Sequence, residues 1–424
     1  MLHSVTQLPG IGVTSPGIPD EALRTEDGRW VAGFAGLTLA SAYQPIFSPA
    51  HRRMVGAEAL LRARRPDGTP VSPLEVFGMP RSDTETIYLD RLTRLLNVRN
   101  FVDQADAAGW LFLNINPVVV VAGRRHGTFS RELFERCGVS PHRVVIEILE
   151  SSVQNEADLA EAVGYYRELG CLIAIDDFGT GHSNLERIWR LRPDIVKLDR
   201  SLLVQAAQDR DLRLTMPGLV GLLHQAGCLV LAEGVETRAE AEIVMQADVD
   251  LVQGYYFARP AAGLPAPGPF DALFATLWSD YKAGIATAIA RQREQLGAYM
   301  NAVGYASVLL EGGRPLTQAV QGFLALPLSE RCYLLDQNGL QIGGNLVAGH
   351  AGQALDRRYA PLADPAGADW SRRHYFRRAL ERPGKIQVTR PYFSITGAKQ
   401  CITISVSLRQ HGQFRVLCGD LTPV

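Results

Sequence analysis

The sequence predicts an α/β protein, with a parallel barrel or sheet over its first two-thirds and a smaller α+β domain after it. Three observations carry that expectation. First, six apolar runs, Val55 to Ala57, Leu111 to Leu113, Val144 to Ile146, Leu172 to Ile175, Ile195 to Val196 and Leu229 to Ala232, each end in an acid, an amide or a lysine: Glu58, Asn114, Glu147, Asp176 with Asp177, Lys197 and Glu233. Second, helical stretches separate the runs at the spacing of βαβ units, whose parallel strands gather ligands at their carboxyl ends. Third, closely spaced prolines between Leu264 and Pro269 interrupt the pattern, and beyond Gly304 the texture turns to hairpins. The polar side chains at the strand ends are therefore expected to converge on one rim.

Taken in order, residues 1–34 are rich in Gly, Pro, Ser and Thr without periodicity and read as a flexible leader. Residues 35–262 form the alternating domain. Within it, Ser72-Pro73 with Glu75 carries the signature of a capped helix start, and Thr237 with Glu240 repeats it. Residues 263–303 hold the proline-rich linker and a connecting helix, with apolar residues at Phe270, Leu273, Phe274, Leu277, Trp278, Tyr281, Ile285, Ile289 and Leu296 close to a 3.6-residue period. That stripe suits either a dimer seam or a helix packed on its own domain. Residues 304–424 form the second domain, with a hairpin at Asn338-Gly339 and strands at Lys385 to Ser394, Cys401 to Leu408 and Phe414 to Leu421.

Composition narrows the function. At 424 residues and 46% hydrophobic content, the chain can fill one large core and one smaller one. A formal charge of -1 offers no field for a nucleic-acid polymer or an anionic bilayer, so a phosphate ligand would need a local site. No stretch reaches the roughly twenty apolar residues of a membrane span, which points to the cytoplasm. The six cysteines lack any CxxC pair and suit reduced, buried thiols.

The strand-end set is rich in hard oxygen donors and has neither a cysteine cluster nor a His-x-x-x-His spacing, which favours Mg²⁺ or Mn²⁺ over zinc. Adjacent acids such as Asp176 and Asp177 repel unless a cation neutralises them. Taken singly, each residue has a plainer reading: Glu58 could pair with Arg62, Lys197 with Asp199, and Asn114 could cap a turn. Coincidence at six strand ends is harder to accept.

These residues resemble a known family. Glu58-Ala59-Leu60-Leu61-Arg62, Asn114-Ile115-Asn116-Pro117, Glu147-Ile148-Leu149-Glu150, Asp176-Asp177-Phe178-Gly179-Thr180-Gly181, Lys197-Leu198-Asp199, Glu233-Gly234-Val235-Glu236-Thr237 and Gln253-Gly254-Tyr255-Tyr256-Phe257 look like the ordered motifs of the EAL-domain cyclic di-GMP phosphodiesterases. The earlier Glu21-Ala22-Leu23 lacks a preceding strand and a following Leu-Arg, and reads as chance. The resemblance implies a TIM-like (β/α)8 barrel with an antiparallel first strand and hydrolysis of cyclic di-GMP to linear 5′-pGpG with one or two Mg²⁺ or Mn²⁺ ions. The alternative is a catalytically weak or inactive cyclic di-GMP receptor that signals by conformational change.

Carried over residue by residue, the resemblance implies metal ligands at Glu58, Asn114, Glu147, Asp176 and Glu233, with Asp177 at the neighbouring metal position. Lys197 would sit beside the attacking water, and Glu236 would support the catalytic set formed by Lys197, Glu58, Asp176 and Glu233. Gln44, Leu60, Arg62, Gln253 and Pro260 would contact substrate, and Glu150 would anchor the loop from Phe178 to Leu185. The chain departs from the family pattern at Leu149, Asn116, His182 and Asn184, the last two in that loop. The second domain resembles a PAS or Cache-type sensor, which implies an unknown small-molecule ligand, with Trp370, Tyr375 and Tyr392 as candidate lining, or a dimerisation surface. A homodimer is the expected assembly.

Overall fold

A computed structural model describes residues 19–104, 109–116, 119, 129–149, 156–179, 185–265, 270–350, 365–395 and 399–423. It divides into two compact units between Lys282 and Ala283. The division falls inside a helix of 41 residues, Asp271–Glu311, so the connecting helix runs further than residues 263–303.

The first unit is a closed eight-stranded barrel. Its strands, numbered in chain order, are β3 (Leu37–Ser48), β4 (Arg53–Arg64), β6 (Trp110–Asn114), β7 (Val144–Leu149), β8 (Leu172–Phe178), β9 (Ile195–Leu198), β10 (Leu229–Ala232) and β11 (Leu251–Val252). The order β3-β11-β10-β9-β8-β7-β6-β4 returns to β3, which runs antiparallel to both of its neighbours. Closure without an edge removes the unpaired backbone that an open sheet would expose. The antiparallel first strand is thus present.

Helices cover the outside as expected. Ser72 caps the short helix Pro73–Phe77 by accepting from the Glu75 amide, and Thr237 with Glu240 forms a complete capping box on Arg238–Ala247.

Inside the barrel the two-residue period of a strand builds layers. Ile46, Phe112, Val145, Ala174, Ile195, Leu231 and Leu251 form one buried apolar layer. On β4 the corresponding position is Gly56, where a Cβ would lie 2.7 Å from the Trp110 carbonyl oxygen and 3.2 Å from the Phe112 ring. The missing side chain leaves that volume to Phe112.

The reading of residues 1–34 as a flexible leader needs correction over its second half. Asp20–Ala22 form a 3-10 turn, and β1 (Leu23–Glu26) pairs antiparallel with β2 (Arg29–Phe34), which continues the barrel sheet beside β3. The reason is Asp27-Gly28, both at positive φ (49° and 74°), the dihedrals of a tight hairpin turn. Strand β5 (Pro70–Val71) extends the sheet beyond β4.

The second unit carries an antiparallel six-stranded sheet. Its strands are β12 (Ser329–Asp336), β13 (Gln341–Val347), β14 (Gln387–Val388), β15 (Tyr392–Ser394), β16 (Lys399–Gln410) and β17 (Gln413–Leu421), in the order β13-β12-β17-β16-β14 with β15 also on β16. The Asn338-Gly339 hairpin is present, but as a longer turn: Asp336 Oδ1 accepts from the Asn338 and Leu340 amides, and Gly339 takes φ 91°. The single strand expected over Lys385 to Ser394 is two short ones. Pro391 lies between them and has no N–H to give to a ladder. All six cysteines are buried and free, and no helix among the described residues is long and apolar enough to cross a membrane.

A backbone contact at the barrel mouth gives the first test. A Cβ on Gly254 would lie 2.0 Å from the Val235 carbonyl oxygen, so Gly254→Ala should destabilise the barrel by about 3 kcal/mol in urea unfolding. An unchanged midpoint would refute the packing described.

Candidate functional site

The polar layer lies two residues beyond the apolar one on each parallel strand: Asn114 after Phe112, Glu147 after Val145, Asp176 after Ala174, Lys197 after Ile195, Glu233 after Leu231 and Gln253 after Leu251. Glu58 follows Gly56 in the same way. On β3, which runs in the opposite sense, the step is backwards from Ile46 to Gln44, and Gln44 is the register partner of Glu58. One rule of strand geometry therefore assembles residues nearly two hundred positions apart.

The centre of the site is Lys197, 1% exposed. Its Nζ lies 2.5 Å from Glu147 Oε1, 2.5 Å from Glu233 Oε1 and 3.2 Å from Asp176 Oδ2. The two shorter contacts occupy Glu147 Oε1 and Glu233 Oε1, and the second Glu147 oxygen accepts no hydrogen bond. Glu58 is held from both sides. Asn114 Nδ2 donates to Oε1 at 2.9 Å and Gln253 Nε2 to Oε2 at 2.9 Å.

Four carboxylates around one ammonium leave a formal excess of three negative charges, and the proton affinities record the strain. Burial and then the neighbouring Glu58 push Glu147 far above the usual carboxylate range, against the pull of Lys197. Burial, with Asp176 and Glu58, pushes Glu233 up to about 8 although Lys197 opposes it. For Glu58 burial acts upward too, but Lys197 and the hydrogen bonds from Gln253 and Asn114 outweigh it and keep its carboxyl below the ordinary value. Burial alone would discharge Lys197, yet Glu147, Glu233, Glu58 and Asp176 raise it well above the usual lysine value.

The donor set fits a hard divalent cation. Glu58, Glu147 and Glu233 each offer an oxygen, all within 4.8 Å of one another, and one buried oxygen of Glu147 accepts no hydrogen bond. The paired acids on β8 depend on a bulge. The register between β8 and β9 shifts between Ile175 and Phe178, and Asp177 adopts φ 60°, a left-handed conformation that aspartate tolerates better than most residues. Its amide donates to Asp176 Oδ1 at 2.9 Å.

Other expected site residues are placed as follows. Leu60 is half-buried, and Arg62 is exposed with its guanidinium on the Leu61 carbonyl oxygen at 2.9 Å. Gln44 Nε2 stands 3.5 Å from the Ala258 carbonyl oxygen. Pro260 is half-buried and precedes Ala261, which exchanges two backbone hydrogen bonds with Tyr43. Gln253 is 2% exposed and turned onto Glu58, so its amide positions a carboxylate. Glu236 does not join the cluster: it lies in the loop after β10, where strand periodicity has ended, and pairs with Arg200 at 2.5 Å. Glu150, His182 and Asn184 fall outside the described residues.

The sequence reading missed Asp90 and Arg94, on the helix Asp83–Val102. Asp90 Oδ1 accepts the Asn116 amide at 3.1 Å, two residues past Asn114, and its other oxygen takes Arg94 Nε at 2.8 Å. Arg94 also donates to Ser130 and Tyr166. The available signal was an i,i+4 acid–base pair flanked by Leu89, Leu92, Leu95 and Leu96, all buried with it.

An eight-stranded barrel with carboxylates at the carboxyl ends of its strands defines a class in which ligands meet the strand ends. The comparisons narrow the class. A family model described as EAL domain matches residues 32–260, more than half of the chain, and the chain belongs to the EAL-domain family. Among curated relatives, an uncharacterized protein of Azorhizobium caulinodans is 32% identical over 241 residues, covering 52% of this chain and 31% of that one. A protein of Escherichia coli named probable cyclic di-GMP phosphodiesterase PdeB is 30% identical over 224 residues, covering 51% of this chain and 42% of that one. The chain thus spans less than half the length of either relative. Among solved structures, the Bacillus subtilis YkuI protein, with an EAL domain and in complex with substrate c-di-GMP and calcium, has a TM-score of 0.77 at 22% identity, over 91% of this chain and 96% of that one. That likeness is one of fold.

The helix pair yields the second test. Asp90→Ala leaves the Arg94 guanidinium buried without its carboxylate, and should cost about 3–5 kcal/mol in chemical denaturation. Near-wild-type stability would show that Ser130 and Tyr166 suffice.

Proposed function

We propose that this chain hydrolyses cyclic di-GMP to linear 5′-pGpG with Mg²⁺ or Mn²⁺. The observation that carries the reading is the convergence of Glu147, Asp176 and Glu233 on Lys197, with Glu58 beside Glu147 and Glu233, at one end of a closed barrel, in a chain of the EAL-domain family. A phosphodiester anion repels hydroxide, so the catalyst must neutralise the phosphate and deprotonate a water near neutral pH. A divalent cation supplies both effects when bound by Glu58, Asn114, Glu147, Asp176 and Glu233, with Asp177 beside them.

The chain's own residues do the rest. Lys197 keeps its proton, steadies three of the carboxylates and places fixed positive charge where the transition state gathers negative charge. Asn114 and Gln253 fix the orientation of Glu58. Arg62, exposed on the strand that carries Glu58, is a fork-shaped donor for a phosphate oxygen. Gln44, Leu60 and Pro260 flank the nucleotide, and Glu236 acts through Arg200. Displacement of the 3′ oxygen in line with the attacking water opens the ring.

The wider reading has three parts. The sheet domain within residues 304–424 is a PAS or Cache-like regulator that takes a small ligand. The chain forms a homodimer through the long helix, where residues 282–295 are exposed throughout and Ile285 and Ile289 stand one turn apart. The protein works in the cytoplasm, where six free cysteines stay reduced.

Incubation of purified protein with cyclic di-GMP and Mg²⁺ or Mn²⁺ should release pGpG, and a chelator should stop it. Glu58→Ala and Asp176→Ala should fall to the chelated level. Lys197→Ala should bind nucleotide nearly as wild type while losing roughly 10²–10³-fold in turnover. No pGpG with either metal defeats the enzyme reading, and tight binding without turnover supports the receptor.

A further inference from the structure

The helix Asp83–Val102 buries an ion pair that its packing does not require. Leu89, Leu92, Leu95 and Leu96 around it belong to buried apolar clusters, and apolar side chains at positions 90 and 94 would fill the space without desolvating two charges. What they could not supply is a hydrogen-bond acceptor. Asp90 is 3% exposed and divides its oxygens between two tasks. Oδ2 takes Arg94 Nε at 2.8 Å and Nη2 at 2.5 Å, which leaves Oδ1 for the Asn116 amide at 3.1 Å.

That amide lies two residues past Asn114. Glu58, Glu147, Asp176, Lys197 and Gln253 are buried at the barrel mouth, whereas Asn114 is exposed. Packing therefore does little to aim it, and its direction depends on its hydrogen bond to Glu58 Oε1 at 2.9 Å and on the backbone that bears it. Two successive peptides pin that backbone. The Ile115 amide donates to the Glu147 carbonyl oxygen at 3.2 Å, as a sheet neighbour would, and the Asn116 amide donates to the Asp90 side chain.

Arg94 holds the carboxylate in turn. Its Nη1 donates to Ser130 Oγ at 3.1 Å and to Tyr166 Oη at 3.2 Å, and its guanidinium carbon lies 4.9 Å from the Phe129 ring centre. Phe129 and Ser130 open the helix Phe129–Cys137 before β7, and Tyr166 lies on the helix Glu156–Leu169 before β8. One guanidinium thus ties the loop after Asn114 to the helices that lead into the strands of Glu147 and Asp176.

We propose that Asp90 is a positioning residue for divalent-metal binding: through the Asn116 amide it fixes the backbone that aims Asn114 at the cation. The proposal rests on the metal reading of the site given above and adds to it a residue outside the ligand set. Partners one step removed from metal ligands commonly change metal affinity by about 10–100-fold.

The experiment is calorimetric titration of the full chain with Mn²⁺ and no nucleotide. Asp90→Leu with Arg94→Met exchanges the ion pair for apolar side chains, and Ser130 Oγ and Tyr166 Oη, 3.3 Å apart, can then pair with each other. This variant should remain folded and bind Mn²⁺ roughly tenfold more weakly. Asp90→Asn with Arg94→Met returns an oxygen to the Asn116 amide and should recover most of the affinity, which a loss of the charges alone would not allow. Adding Asp90→Leu and Arg94→Met to Asn114→Ala should weaken Mn²⁺ binding no further than Asn114→Ala does. In the unsubstituted protein the Asn116 amide should resist hydrogen exchange before metal is added, a measurement that needs no variant to fold. The proposal is overturned if the Leu and Met variant binds Mn²⁺ as wild type does, if the Asn and Met variant is equally weak, if the losses add to that of Asn114→Ala, or if the Asn116 amide exchanges freely. Wild type that binds no Mn²⁺ would defeat the metal reading together with this proposal, whereas normal binding in every variant would defeat this proposal alone.

Discussion

Repulsion among buried carboxylates is the constraint on which the first unit is built. Glu147 and Asp176 lie on neighbouring strands, Glu233 follows the next strand but one, and Glu58 closes the ring from the other side. One buried ammonium meets three of them. The proton affinities of Glu58 and Glu147 diverge because both are buried but compensated differently: Glu58 has two amide donors, while Glu147 has the Lys197 ammonium on one oxygen alone. Such divergence between adjacent acids is a mark of sites that do chemistry. It also makes the site a place where added positive charge is favoured.

The scaffold bears that repulsion through long-range ties. The barrel is closed by β3 against β4, the longest pairing in the sheet, and the apolar layer under the site is packed tightly enough to demand glycine at position 56. Asp90 and Arg94 fix the backbone just past Asn114. The bulge at Asp176-Asp177 breaks the regular alternation by which a strand points consecutive side chains to opposite faces.

The second unit also buries charge, in a sheet, as the pair of Arg331 and Asp420. Its sheet core is apolar over most of one face, with Leu334, Ile404, Val406 and Leu417 among its buried residues. On another face Tyr333, Tyr375 and Val416 gather around a buried arginine and aspartate. A fully compensated pair would be unremarkable there.

Reading the chain alone reached the barrel, its order of polar strand ends, the helix caps at Ser72 and Thr237 and the hairpin at Asn338-Gly339, because each is a local pattern set by strand period, helix-end chemistry or turn dihedrals. It also reached Glu58, Asn114, Glu147, Asp176, Lys197 and Glu233 as a set, since strand geometry sends such residues to one rim. The hairpin of Leu23–Glu26 with Arg29–Phe34 was missed even though Asp27-Gly28 is a local signal, obscured by the loose composition before it. Only the tertiary structure decided that Gln253 would turn onto Glu58, that Glu236 would leave the cluster for Arg200, and that Asp90 would hold the loop after Asn114. Those outcomes depend on partners 195, 36 and 26 residues away, and hydrogen-bond partners at such separations are chosen by strand register and packing, which no local pattern encodes.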